Sequence, residues 1–383
     1  MGERALTRAP LRSRVEGRTR ALRARVPEKP FAPRTGGRIS GVVSSVRAWA
    51  DETPGATYES VMPAHSHRRS APKTVGPPRD DLFEELRVYD SPEAFVATIP
   101  GGRLVDTSAR LVLTDDRRFL AESAYEHVRA KPPARKRLHR GQRRVGRHIA
   151  LLNQWSENHY HWLCDTLPRA SLLRLDEEAD TPIIVPAGLT RSQLDSLAMI
   201  GIPRERLVAF DVSHLQLDEL VLPSFVGRPG YPPNWAASWL RERLAPERPS
   251  GHRRLWVSRA GAPRRGVANE AALLPVLDGL GFELIQPEQH SFAEQLEIFA
   301  AADVIAAPHG SALANMVACR RATVIELFNE RHRGNGCFYA LADALGLDYW
   351  YLRCGATRGG QLRVDPELLE ATIKTALGGA KAL

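Results

Sequence analysis

Two stretches of the sequence hold polar residues in patterns that could do chemistry. In NQWSENHYHWLCDTLPR, His161 and Asp165 stand at i and i+4, a spacing that puts two side chains on one helix face. A carboxylate within reach of an imidazole orients the ring and tunes it towards neutral pH, so the pair could act as a general base. The same spacing also suits a core brace in which the two side chains satisfy each other, and spacing alone leaves both open. Asn158 and Arg169 are further polar positions in this aromatic-studded run. His159, two residues from His161, points elsewhere and reads as structural.

The second stretch is DVIAAPHGSALANMVACRRATVIELF. It reads as a buried strand ending at Pro308, a turn made by His309, Gly310 and Ser311, and a small-residue helix that includes Asn315. In open α/β sheets the crevice beyond the strand ends takes the ligand, and a helix N-terminus suits a diphosphate. Gly310 permits close backbone approach, while His309 and Ser311 add side-chain donors. WVSRAGAPRRGVANE places Ser258 and Arg259 at the end of another strand, with Arg264 and Arg265 in the loop that follows. Arginine there gives fixed, bidentate recognition of phosphate oxygens. Glu326, ending TVIELF, is placed to accept hydrogen bonds from ribose hydroxyls. Each feature alone could be a tight turn or an ion pair; together on neighbouring strand ends they read as an anion site.

Several chemistries fail on spacing. A nucleophile elbow needs GxSxG, and Ser311 has His309 and Leu313 at those positions. No GxGxxG or GxxxxGK[ST] follows a strand, which removes the usual dinucleotide and P-loop signatures. There is no DxD, HExxH or zinc-spaced Cys/His pair, so neither a metal nor another cofactor is indicated.

The elements that must position these residues alternate between strand and helix. HIALLNQW, TPIIVP, LVAF and LDELVLP read as strands, with HYHWLCDTLPRASLLRL and RSQLDSLAMIGI as helices; RLVDTSARLVLTD suggests an earlier strand pair. A Pro/Gly-rich passage, PSFVGRPGYPPNW through RPSGHRR, marks a junction. A second series follows: RLWVSR, NEAALLPVLDGLG, FELIQP, SFAEQLEIFAAA with a Ser291/Glu294 capping box, DVIAAP and TVIELF. The 383 residues, 43% of them apolar, are enough for two cores. The expected fold class is therefore α/β, with two doubly wound, Rossmann-like domains facing a cleft. The expected divisions are a flexible, basic segment over 1–80, an acceptor-side domain over 81–245 and a nucleotide-binding domain over 246–383.

Net charge is +9, concentrated in Arg4 to Arg25 and in Arg135 to Arg147. Neither run interleaves aromatic residues for base stacking, so nucleic acid is not the expected partner, although a non-catalytic, basic nucleic-acid-binding protein stands as the rival reading. The arginines could instead hold the chain against an anionic membrane. No apolar run approaches the roughly 20 residues needed to span a bilayer, and the N-terminus lacks a secretory core. With four scattered cysteines, these features point to the cytosol.

NHYHWLCDTLPR, VSRAGAPRRGVANE, SFAEQLEIFAAADVIAAPHGSALANMV and VIELF, in that order over roughly Asn153 to Phe328, resemble glycosyltransferase family 61. That family includes bacterial capsular-polysaccharide transferases, plant xylan transferases and animal O-linked N-acetylglucosaminyltransferases. The resemblance implies a GT-B fold and inverting, metal-independent transfer of a hexose or pentose. The donor would be a nucleotide sugar and the acceptor a glycan or lipid-linked glycan, as in capsular or extracellular polysaccharide synthesis. It also implies Asp165 or His161 as base, with Asp165 ahead if it faces the cleft. Ser258, Arg259, Arg265, His309, Gly310, Ser311, Asn315 and Glu326 would lie on the donor side, and Asn158 and Arg169 on the acceptor side. The family's usual HGAGL reads HGSAL here, and the first eighty or so residues match no familiar pattern. Transfer is accordingly expected to survive EDTA; abolition by chelation and rescue by manganese or magnesium would contradict the metal-free expectation.

Overall fold

The computed structural model describes residues 37–78, 80–107, 109–133, 136–247, 252–260, 266–329 and 336–379. Arg264, Arg265 and the arginines of the first 36 residues lie outside that set. Two sheets organise the chain. The six-stranded one has five parallel strands, Phe282–Ile285, Arg253–Val257, Ala302–Pro308, Thr323–Asn329 and Asp348–Ala356, with Leu362–Arg363 added antiparallel. Across the parallel run their chain order is 2-1-3-4-5, as the alternating strand and helix pattern leads one to expect. The Ser291/Glu294 capping box forms both of its hydrogen bonds and starts helix Phe292–Ala300.

The ten-stranded sheet is mixed, which corrects the expectation of a doubly wound first half. Only His214–Pro223, Gln142–Ala150, Ile183–Pro186 and Leu207–Phe210 make its continuous parallel run. On the outer edge of His214–Pro223, strands Ala94–Pro100 and Arg103–Val105 both pair antiparallel, one after the other. Gly101 and Gly102 make the bend between them. Gly101 has φ +64°, and a Cβ on Gly102 would come within 2.7 Å of Leu220 Cβ. Short turns link neighbouring antiparallel strands, whereas parallel ones need long crossovers, so brief strands of this region close locally.

The expected irregular segment is also corrected wherever it is described. Gly41–Val43 pairs with Arg118–Leu120, and Thr57–Met62 pairs with Ala94–Pro100. Between them helix Val46–Asp51, capped by the Ser45 side chain, buries Val46 and Trp49 against Ile99, Leu120 and Leu220. Glu93 receives Arg47 at 2.7 Å and the Tyr58 hydroxyl at 2.8 Å, and the Arg47 guanidinium draws its carboxyl down to about 2. Part of the second arginine cluster is likewise spent inside the fold: Arg143 meets Asp218 at 2.7 Å, and Arg147 meets Glu178 at 2.8 Å and also Glu219. Among the described residues no helix is long and apolar enough to cross a membrane.

The two sheets share one apolar core. It runs from Ile149, Leu163 and Val185 of the first half to Leu313, Met316 and Phe338 of the second. Helix Asn234–Leu244 packs into the same layer, and Arg241 donates to Leu345 O at 2.8 Å. Because residues 41–62 contribute strands and a buried tryptophan, a chain beginning at Asp80 should aggregate or melt far below the full chain. Trp49→Ala should cost about 3–5 kcal/mol in denaturant unfolding. Parent-like stability of either variant would show that the segment is only an appendage.

Candidate active site

The strand order creates a crevice. Arg253–Val257 lies between strands that come second and third in chain order. The connection leaving it runs to Phe282–Ile285 on one side, that leaving Ala302–Pro308 runs to Thr323–Asn329 on the other, and a crevice opens between their carboxyl ends. Ser258 and Arg259 follow Arg253–Val257; His309 and Gly310 follow Ala302–Pro308. The Arg259 guanidinium lies on Gly310, where a Cβ would meet Nη1 at 2.0 Å and Cζ at 2.8 Å. Gly310 is extended at φ −175°, which any residue adopts, so space rather than backbone conformation demands the glycine. A 3-10 helix, Ser311–Ala318, then opens with its first internal bond from Leu313 N–H to Gly310 O. The amides of Ser311 and Ala312 precede that bond, and both residues line the same cavity as Arg259, an arrangement that suits an anion.

Three residues expected on the donor side have their polar atoms held by the protein, although Ser258 also lines the cavity that Arg259 and Ser311 line. The Ser258 hydroxyl donates to Glu270 at 2.9 Å and accepts from Ala260 N–H. Glu326 is fully buried. One of its oxygens meets His309 Nδ1 and the other accepts from the Tyr349 hydroxyl at 2.5 Å, so it anchors the His309 turn rather than a ribose. Asn315, also fully buried, bridges His159 and Gln295. Strands Ala302–Pro308 and Thr323–Asn329 are parallel neighbours, and their register brings His309 to Glu326, 17 residues further along the chain.

His161 and Asp165 do meet, at 2.6 Å from Nδ1 to Oδ2. Their helix is irregular: α at His159–His161, π at Trp162–Thr166 and 3-10 at Leu167–Leu172. Pro168 has no N–H and would crowd the carbonyl of Cys164 in a regular turn, which accounts for the widened ladder. Asp165 is buried; its Oδ1 accepts from Gly230 N–H at 2.7 Å and its Oδ2 from the Tyr125 hydroxyl at 2.9 Å. Burial, reinforced by Asp165, pushes the Tyr125 hydroxyl up and keeps it a donor. Asp165 therefore does not face a cleft. It orients His161, whose Nε2 no hydrogen bond of the described residues engages. Rings link His161 to the second half, with centroids 5.5 Å to Tyr160, 5.1 Å on to Phe338 and 5.1 Å on to His309.

The two residues expected on the acceptor side have structural work. Asn158 caps the helix, accepting from Tyr160 N–H at 2.9 Å. Arg169 is buried; it donates to Leu152 O and Pro223 O, tying together the ends of Gln142–Ala150 and His214–Pro223. Tyr125 and Gly230, remote in sequence from Asp165, were missed. His159, read as merely structural, lines a cavity of about 400 Å³ with Ser192, Arg259, Gln295 and Ser311; His161 and Asp165 are not in its lining. Among the described residues no three His, Cys, Asp or Glu side chains gather as a metal site would require.

Gly310→Ala should therefore act through Arg259. Its methyl group would push the guanidinium aside with no backbone strain. Arg259→Ala should weaken phosphate-ligand binding by about 1.5–3 kcal/mol, the weight of a charged hydrogen bond. The double variant should lose little more than either single one, since both remove the same contact. Fully additive losses would separate the two residues.

The model of the family described as Glycosyltransferase 61 matches residues 159–325, from the His161 helix through strand Thr323–Asn329. No curated protein matches the chain at a significant level. The matched segment carries both the imidazole–carboxylate pair and the Arg259–Gly310 crevice, and over residues 159–325 the chain is similar to glycosyltransferase family 61.

Proposed function

We propose that the chain is a glycosyltransferase that takes its sugar from a nucleotide donor and passes it, with inversion, to a glycan or lipid-linked glycan in capsular or extracellular polysaccharide synthesis. The observation that carries the reading is the guanidinium of Arg259 laid on Gly310 beside the opening amides of Ser311–Ala318, at the point where the strand order reverses. A cation and amide donors at one place suit a diphosphate leaving group. Across the shared layer, His161 has its Nδ1 held by buried Asp165. In this mechanism its Nε2 takes the proton of the acceptor hydroxyl as that oxygen attacks the anomeric carbon. The bond from that carbon to the diphosphate oxygen breaks, and Arg259 with the helix amides receives the developing charge. The family match gives no support to the rival nucleic-acid reading.

A screen of UDP-, GDP- and CMP-sugars with released nucleotide as readout tests the donor class; release from none of them, acceptor supplied, would overturn the reading. His161→Ala should leave donor binding intact and lower turnover by about 10²–10⁴-fold, as loss of a general base does. Asp165→Asn should lower both turnover and melting temperature, because it disturbs the imidazole and also the Tyr125 and Gly230 contacts. An active His161→Ala enzyme would send the search for a base elsewhere.

A further inference from the structure

The hydrogen bonds behind the cavity fix the proton on His159. Gln295 Nε2 donates to two carbonyls, Pro287 O at 2.8 Å and His290 O at 3.0 Å, and only an amide nitrogen can serve both. Its oxygen therefore faces Asn315 and accepts from Nδ2 at 2.8 Å. That turns Asn315 Oδ1 towards His159 Nε2, 2.8 Å away, so Nε2 must carry hydrogen. Burial lowers the pKa of His159 from the usual imidazole range, which keeps the ring neutral with a single proton. Nδ1 is left with a lone pair, and no hydrogen bond of the described residues engages it. The edge-on contact with Phe292, 6.0 Å between centroids, helps to hold the ring.

We propose that Nδ1 of His159 is a hydrogen-bond acceptor inside the cavity and recognises a hydroxyl of the sugar being transferred. The inference rests on the nucleotide-sugar reading and assigns the two ends of the cavity. A phosphate oxygen would meet a lone pair with a lone pair, so the anion belongs with Arg259 and Ser311 of the same lining. A sugar hydroxyl brings the hydrogen that His159 lacks. His159 is thus a positioning and specificity residue, and the chain Pro287/His290–Gln295–Asn315–His159 sets its polarity from carbonyl groups that cannot reverse their roles.

Two substitutions divide the imidazole. His159→Gln keeps an N–H for Asn315 and removes the acceptor at Nδ1, whereas His159→Asn places an amide oxygen near Nδ1 and gives up the bond to Asn315. UDP- and GDP-sugars, with UDP and GDP alone, would be titrated calorimetrically into the full chain and both variants. The expected result is nucleotide-sugar affinity about 3- to 10-fold lower in His159→Gln, the weight of one neutral hydrogen bond, with nucleoside diphosphate affinity unchanged. His159→Asn should recover part of the loss. Nitrogen NMR of the His159 ring should show protonated Nε2 and bare Nδ1. The opposite tautomer would overturn the proposal, as would equal losses for nucleotide and nucleotide sugar, or no loss at all. Failure of the unaltered chain to bind any nucleotide sugar would overturn the parent reading and this role together, whereas tight binding that His159→Gln leaves intact would overturn only the role.

Discussion

A guanidinium with almost no access to water has to find oxygen on its own chain, and Arg169 is in that position. Removing such an ion from water costs several kcal/mol unless good geometry offsets it. Arg169 meets Leu152 O and Pro223 O, and buried Asp165 favours its charge electrostatically, although burial still draws its pKa down to about 10. The carbonyls it holds lie just beyond the paired parts of Gln142–Ala150 and His214–Pro223, where the two strands part. The run that carries His159 and His161 leaves the sheet there. A change at Arg169 would leave the Leu152 and Pro223 carbonyls without these partners and remove a cation that favours the Asp165 charge, so the imidazole geometry depends on a side chain that need not touch substrate.

Both halves solve the same problem with a similar device. Each sends neighbouring parallel strands into loops, and each fixes an imidazole beyond a strand end with a buried carboxylate whose second oxygen is also occupied. The environments then diverge. His161 keeps a nitrogen uncommitted within the described structure, while His309 is packed tightly against Phe328 and Phe338. Pairing of type alone would not tell a reactive imidazole from a bracing one; the difference lies in what covers the far side of the ring.

Much of the second half was legible because parallel strands buried on both faces read as short apolar runs and helix Phe292–Ala300 opens on a capping box. The placement of Arg259 beside Gly310 followed from strand ends alone. In the first third the strand pair of RLVDTSARLVLTD was legible, and forms as Arg103–Val105 against Leu111–Leu113, but little else was. Strands of three residues, such as Gly41–Val43, leave no periodicity to detect, and the Arg, Pro and Gly around them resemble linker composition. Within the candidate site, residues were found by type and misassigned by partner. Glu326, Asn315 and Arg169 look ready for a ligand in sequence, yet their polar atoms are taken up by groups far along the chain. Tyr125 and Gly230 carry no local signal, since only the fold brings them to Asp165.

The core common to both sheets has a consequence for how the molecule comes apart. Two domains joined by a linker can melt in separate steps. Here Leu163 and Val185 share a cluster with Met316 and Phe338, so loosening one sheet strips apolar cover from the other. The molecule is thereby driven towards a single cooperative transition. A ligand that touches only Arg259 and Ser311 would then protect the distant strands around Trp49 from opening, as mass action raises the free energy of one indivisible unit.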